Sequence, residues 1–323
     1  MTAMFEVLKG VGWILLGIVL GRVLEKPIDR WQRKALYLIQ RIWVVTMQHQ
    51  ASNNHSEFTL GRWHVPWVAI EGSSSDPYVP KNVICQLDPR PLSLPQELQE
   101  RKAAIENEQT TIEQTTGCRT LHNGPTLALD EIGRGQLGDL EEPVLILRLR
   151  PSDYYTFLAT AMSLDEKTVA DKDTTIRDKY LHHVAYDKPV PEFASAFAVQ
   201  MTLVTSDGYI VVSTRETEGI VGYPGHLAPA INECVNPVAD RGASGTISLP
   251  MTVKRGAAHE LNIEVTDDEM VFFTVGVDQR YYMYTLSGLV RSKQFTRDQI
   301  VARRSLVSKE KWEASQLHFL THD

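Results

Sequence analysis

The longest uncharged apolar run lies near the start of the chain, from Gly10 to Gly21, and extends to Val7–Leu24 with only Lys9 and Arg22 interrupting it. Two basic side chains near the ends of such a run can reach lipid headgroups, so it predicts a short single membrane-spanning helix. After Pro27, the residues Trp31, Ala35, Leu38, Ile39, Ile42 and Trp43 recur at helical spacing. Arg30, Arg33, Lys34 and Arg41 flank them, which predicts a basic amphipathic helix lying on an anionic leaflet. Residues 51–57 are polar and read as a linker. Phe58–Ile70 then alternates as a strand would, and GSSSDP follows as a turn. The charged stretch from Leu94 to Gln114 predicts a solvated helix, with Ser93 and Pro95 as cap and first-turn residues. Beyond it VLILRLR, from Val144, is a buried strand and PSDYYTFLATA begins a helix. FAVQMTLVTSDGYIVVSTR is a hairpin turning at Ser206-Asp207-Gly208, and VKRGAAHELNIEV is again helical.

Charge sharpens the division. Residues 1–50 carry seven Lys and Arg against Glu6, Glu25 and Asp29, a balance of +4 that leaves −11 for the remainder of a chain whose net charge is −7. An acidic main body argues against a nucleic-acid partner. One basic residue precedes the apolar run and six follow it, so the positive-inside rule places the body in the cytoplasm of a single-pass membrane protein. Gly17 and Gly21 form a G-x-x-x-G, which would let two spans touch and the chain form a homo-oligomer. Cys85, Cys118 and Cys234 are odd in number and widely spaced, and so give neither a disulfide framework nor a zinc knuckle.

The segments VGYPGHLAPAINE and VKRGAAHELNIEV, set after the hairpin and separated by a loop rich in Gly, Ser and Asp, carry a resemblance. Arg255-Gly256-Ala257-Ala258-His259-Glu260-Leu261-Asn262-Ile263 is similar to the second half of the Nudix signature, G-x5-E-x7-R-E-U-x-E-E-x-G-U, and Gly225 with Glu233 looks like its first half. The Tyr-Pro-Gly loop and the closing Lys311-Trp312-Glu313 fit a divergent branch of the family. The resemblance covers about residues 118–323. It implies an α/β fold, a Nudix-like α/β/α sandwich around a mixed β-sheet, here preceded by the transmembrane and amphipathic helices of residues 1–50 and by the linker, accessory strands and helix of residues 51–117.

By that resemblance Glu260 and Glu233 are the catalytic candidates and Glu260 and His259 the candidate ligands of Mg2+ or Mn2+. Gly225, His226 and Arg255 lie where the family's loop and helix approach a nucleotide, and Arg255 corresponds to the arginine that braces the box through an internal salt bridge. The chain departs from the pattern in three ways. Gly256 and His259 stand where two glutamates belong, seven residues rather than five separate Gly225 from Glu233, and twenty-one separate Glu233 from Arg255. A hard divalent ion prefers carboxylate oxygen, so loss of two glutamates weakens hydrolysis of the ordinary kind. Replacement ligands could come from Glu233, Asp240, Glu264 or Asp267-Asp268-Glu269, although an acidic run is more often a solvated turn. His182-His183 lacks spacing to other ligands, and Tyr154, Tyr155 and Phe157 read as core beside a buried strand rather than as a base-stacking surface.

Three functions are compatible with these features. The first is a membrane-tethered nucleotide sensor or effector with impaired catalysis, an architecture similar to membrane effectors of bacterial nucleotide-signalled antiphage systems. The second is an active metal-dependent hydrolase of a nucleoside diphosphate derivative. The third is a ligand-free adaptor.

Overall fold

The structure is a computed structural model and describes residues 58–60, 63–139, 141–217, 222–242, 244–306 and 314–321. The expected membrane span, amphipathic helix and G-x-x-x-G, and the Lys311-Trp312-Glu313 segment, lie outside the described residues. Among the described residues no helix is long and apolar enough to cross a membrane.

The chain divides into two compact units, Met1–Val65 and Pro66–Asp323. What is described of the first is an antiparallel hairpin, β1 (Phe58–Leu60) with β2 (Trp63–Val65), in which Thr59 faces His64. The alternation from Phe58 to Ile70, expected as continuous strand structure, is thus cut into this hairpin and a separate β3 (Trp67–Gly72) that belongs to the second unit.

The second unit holds two sheets. In the smaller, β6 (Glu142–Asp153) is central, with β4 (Val83–Leu87) parallel on one side and β5 (Pro125–Leu137) antiparallel on the other. In the larger, β13 (Ala314–Leu320), β8 (Ile210–Arg215), β7 (Ala198–Val204), β12 (Met283–Arg291), β11 (Met270–Asp278) and β3 lie in that order. Two short strands join this path: β9 (Leu227–Pro229) pairs with β8, and β10 (Ile231–Cys234) pairs with β7. Because β7 and β12 run parallel while the other pairs are antiparallel, the sheet is mixed, as expected. Their connection is a long crossover, which a parallel pair requires.

One edge of β7 is shared between two partners. Leu203 and Val204 pair with β8, whereas Ala198 to Met201 pair with β10. The sheet therefore forks there, and the chain from β8 back through β9 to β10 occupies the fork. Across it lies α4 (Leu249–Leu261), whose Leu249, Val253, Ala257 and Leu261 recur at helical spacing and are buried in the main core with Val199, Met201 and Ile231. The other helices are α1 (Gln96–Thr116), α2 (Tyr154–Ala159), α3 (Ile176–Leu181) and α5 (Arg297–Arg304).

Helix starts follow local side-chain chemistry. Asp153 caps α2 by accepting from the Thr156 amide, and Thr175 with Asp178 and Thr296 with Gln299 form capping boxes for α3 and α5. At α1 the expectation needs correcting: Pro95 occupies the cap position, no side chain caps the helix, and Ser93 stands outside it. The Pro95 carbonyl accepts from the Leu98 and Gln99 amides, both at 3.0 Å, so a first-turn donor that a side-chain cap would serve is taken by the backbone. Tyr155 and Phe157 pack into a small satellite core with Leu158, Ala161 and Ala196, and the Tyr155 hydroxyl donates to the Leu121 carbonyl at 2.8 Å.

Candidate functional site

The centre of the box is an arginine clasp. Arg255, at the middle of α4, donates through Nε to Asp240 Oδ1 and through Nη2 to Asp240 Oδ2, both at 2.8 Å, and through Nη2 to the Cys234 carbonyl at 2.7 Å. Its Nη1 bonds Glu233 of β10. Asp240 is fully buried and accepts two further bonds, from the Asn236 amide at 2.7 Å and from the Thr252 hydroxyl at 2.9 Å. Burial works against the Arg255 charge, yet the two carboxylates outweigh it and push the guanidinium pKa upward. Arg255 thus joins the helix to β10 and to the loop that follows it. The clasp also fastens the middle of the loop between β10 and α4, whose Gly, Ser and Asp content alone would permit wide movement.

Gly256 leaves no room for a side chain. A Cβ at that position would lie 2.9 Å from Ile231 Cγ2 and 3.1 Å from Glu233 Cβ, closer than side-chain carbons tolerate. The helix sits directly on β10 at this point, and the strand's Glu233 fills the space that a side chain from the helix would enter. Farther along the helix, His259 Nδ1 is 3.9 Å from Glu233 Oε2, and Glu260 Oε1 accepts from the Asn232 amide at 3.2 Å. Glu260 therefore ties the end of α4 to β10. Burial lowers the pKa of Arg304, and the Glu260 charge opposes that fall. Asn262 closes the helix in the left-handed conformation, at φ 56°, where the signature has glycine; asparagine is one of the few other residues suited to it.

The family's three-glutamate donor set is not reproduced. Gly256 offers no ligand, and among the described residues no group of three or more His, Cys, Asp or Glu is placed to hold a metal ion. The acidic run Asp267–Glu269 is a short 3-10 turn whose side chains are engaged. Asp267 pairs with Lys254 at 2.7 Å, Asp268 with Lys293, and Glu269 closes a capping box on Thr266. Glu264 is exposed. His182 and His183 pack edge to face at 4.2 Å.

The Tyr-Pro-Gly loop, between β8 and β9, is a second and differently built locus. Gly225 has φ 71° and donates its amide to the Glu216 carbonyl at 3.2 Å, which lets the chain double back so that the Arg215 amide reaches the His226 carbonyl at 2.9 Å. Tyr223, at φ 50°, leads away to the tip of the β11–β12 hairpin, where its hydroxyl donates to Asp278 at 2.6 Å. Burial pushes the Asp278 carboxyl above its ordinary range, and burial together with the Asp278 charge raises the Tyr223 phenol. Tyr281 meets Tyr223 edge to face at 5.0 Å, and His226 meets it at 5.5 Å. Arg280 lies over both tyrosines, 5.6 and 5.1 Å from their ring centres. The predicted residues thus separate into Glu233, Arg255, His259 and Glu260 around α4, and Gly225 with His226 on the loop. Asp278, Arg280 and Tyr281 were not anticipated; the one sign of them in the sequence is the polar and aromatic run DQRYY at a hairpin turn.

No protein-family model matches the chain, and no curated protein matches it. Solved structures are similar to it at the level of fold. A MutT/Nudix family protein from Enterococcus faecalis matches over 46% of this chain and 51% of its own, at 14% identity and a TM-score of 0.28. A protein from Deinococcus radiodurans matches over 40% of this chain and 68% of its own, at 16% identity and a TM-score of 0.27. The chain spans about half the length of the first of these, and the link to the Nudix fold is weak.

Proposed function

We propose that residues 118–323 form a Nudix-like module that recognises a nucleotide or nucleoside diphosphate derivative with impaired catalysis, held at the cytoplasmic face of a membrane by residues 1–50 and acting as a ligand sensor or effector. The reading rests on the box motif around Arg255 and on one observation above the others. Where the signature has a glutamate, Gly256 is packed against Ile231 and Glu233, and Arg255 engages the Glu233 carboxylate. A carboxylate bound to a guanidinium is a poor ligand for a divalent ion, so recognition is the part of the family's chemistry that these residues favour. Regulation of bacterial antiphage signalling is a role that such a sensor would suit.

The alternative is an active hydrolase in which Glu260, His259 and Glu233 hold Mg2+ or Mn2+, the ion supplying charge neutralisation and an activated water. The full-length chain in mild detergent, incubated with a panel of nucleoside diphosphate derivatives and either ion, separates the two. Binding seen by calorimetry without release of nucleoside monophosphate is the expected result. Metal-dependent turnover abolished by Glu260→Gln would replace the sensor by the hydrolase. No binding by any member of the panel would leave the adaptor.

A further inference from the structure

The tip of the β11–β12 hairpin carries a cation that the fold holds in place but does not neutralise. Arg280 is half-buried, with its guanidinium in the corner made by the rings of Tyr223 and Tyr281, which stand at 80° to one another. Every neighbouring part of the tip is fixed. The Arg280 amide donates to Asp278 Oδ1 at 2.8 Å, and Arg177 donates to the Gln279 and Arg280 carbonyls at 2.8 and 2.5 Å. Tyr223 is anchored through its hydroxyl to the buried Asp278. Yet among the described residues no acceptor hydrogen-bonds the Arg280 guanidinium and no carboxylate forms an ion pair with it. The nearby acids are engaged elsewhere, Asp278 with Tyr223 and Asp165 with Arg177 at 3.0 Å.

A guanidinium stacked on aromatic rings loses little freedom on binding, and its planar fork of donors matches two oxygens of a phosphate. Arg177, its own charge paired with Asp165, holds the backbone of the tip, while His226 offers a flat face beside Tyr223. We infer that Arg280, seated between Tyr223 and Tyr281, is the receptor for the phosphate groups of the bound nucleotide, with His226 beside Tyr223 at its margin. The inference deepens the nucleotide-recognition reading and rests on it for the base. The phosphate contact stands on Arg280 with Tyr223 and Tyr281, none of which takes part in the arginine clasp of α4.

The test is calorimetric titration of the full-length chain in mild detergent with four probes: inorganic pyrophosphate, ADP, adenosine and glycerol 3-phosphate, the last a soluble stand-in for a phospholipid headgroup. Pyrophosphate and ADP are expected to bind the native chain, and Arg280→Gln to weaken both by roughly tenfold to a hundredfold, the loss typical of a charge-assisted bidentate contact. Arg280→Lys keeps the charge without the fork and should recover only part of the loss. Because the side chain bonds no protein acceptor and forfeits only its ring contacts, Arg280→Gln should unfold cooperatively with the native slope and a modestly lowered urea midpoint, which excludes misfolding as the cause. The proposal is overturned if Arg280→Gln binds as the native chain does, if neither phosphate probe binds, if adenosine binds as tightly as ADP, or if glycerol 3-phosphate binds more tightly than ADP. Nucleotide binding that survives Arg280→Gln would sink this inference and leave the recognition reading standing. Pyrophosphate bound through Arg280 with no nucleotide preference would do the reverse.

Discussion

Asp240→Asn tests whether the box is built around an internal clasp. Asp240 is fully buried and its two oxygens accept four bonds, from Arg255 Nε and Nη2, the Thr252 hydroxyl and the Asn236 amide. Asparagine keeps the shape but replaces one acceptor with a donor, so one oxygen must serve groups that all donate, and the charge facing Arg255 is lost. Breaking a buried ion pair by removing one partner typically costs about 3–5 kcal/mol. Arg255 keeps Glu233 and is itself 18% exposed, so the lower end applies, about 3 kcal/mol. For a unit of this size that is a fall in melting temperature of roughly 6–12 °C. Urea unfolding of the full-length variants followed by tryptophan fluorescence reads the change directly. In the double variant Asp240→Asn/Arg255→Met the unpartnered cation is gone, so the two effects should fall short of additivity by more than about 1 kcal/mol. A loss below about 1 kcal/mol for Asp240→Asn alone would refute the clasp as the organising feature of the box.

Other predictions follow from the same contacts. Gly256→Ala should destabilise the protein, because crowding against Ile231 and Glu233 costs about 1–3 kcal/mol, more than the gain of up to about 1 kcal/mol expected from helix propensity; a urea midpoint above that of the native chain would show the packing to be loose. Asp278 has a folded-state pKa above its ordinary 3.8 because burial disfavours its charge. The folded state therefore binds the proton more tightly, and stability falls as pH rises from that ordinary value through the raised one. Asp278→Asn removes this dependence, so its stability relative to the native chain should improve across that interval in pH-dependent urea titrations; parallel curves would contradict the assignment.

Reading the sequence alone was sufficient for elements whose pattern is local. The β7–β8 hairpin is specified by alternation on either side of Ser206-Asp207-Gly208, and α4 by the helical spacing of Val253, Ala257 and Leu261. The sequence also drew attention to Arg255, but its pairing with Glu233 and Asp240 follows from the seating of the helix on β10. Tertiary structure decided the rest. Phe58–Ile70 was cut in two because Trp67 lies across Gly276 of β11, where a Cβ would come within 2.1 Å of its ring, and this close fit assigns β3 to the large sheet. That Glu233 occupies the space beside Gly256 depends on β10 pairing with the lower half of β7 while β8 takes the upper half, a fork that no short-range pattern encodes. The Arg280 corner likewise joins residues more than fifty positions apart, Tyr223 with Asp278, Arg280 and Tyr281. The sequence by itself determined the segments with a clear local pattern, the β7–β8 hairpin, β6 and the helices α1, α2 and α4, since hydrophobic period and turn chemistry act over a few residues. Which side chains share a site was settled only by long-range strand pairing, because a one-residue change of register would turn each of them to the opposite face.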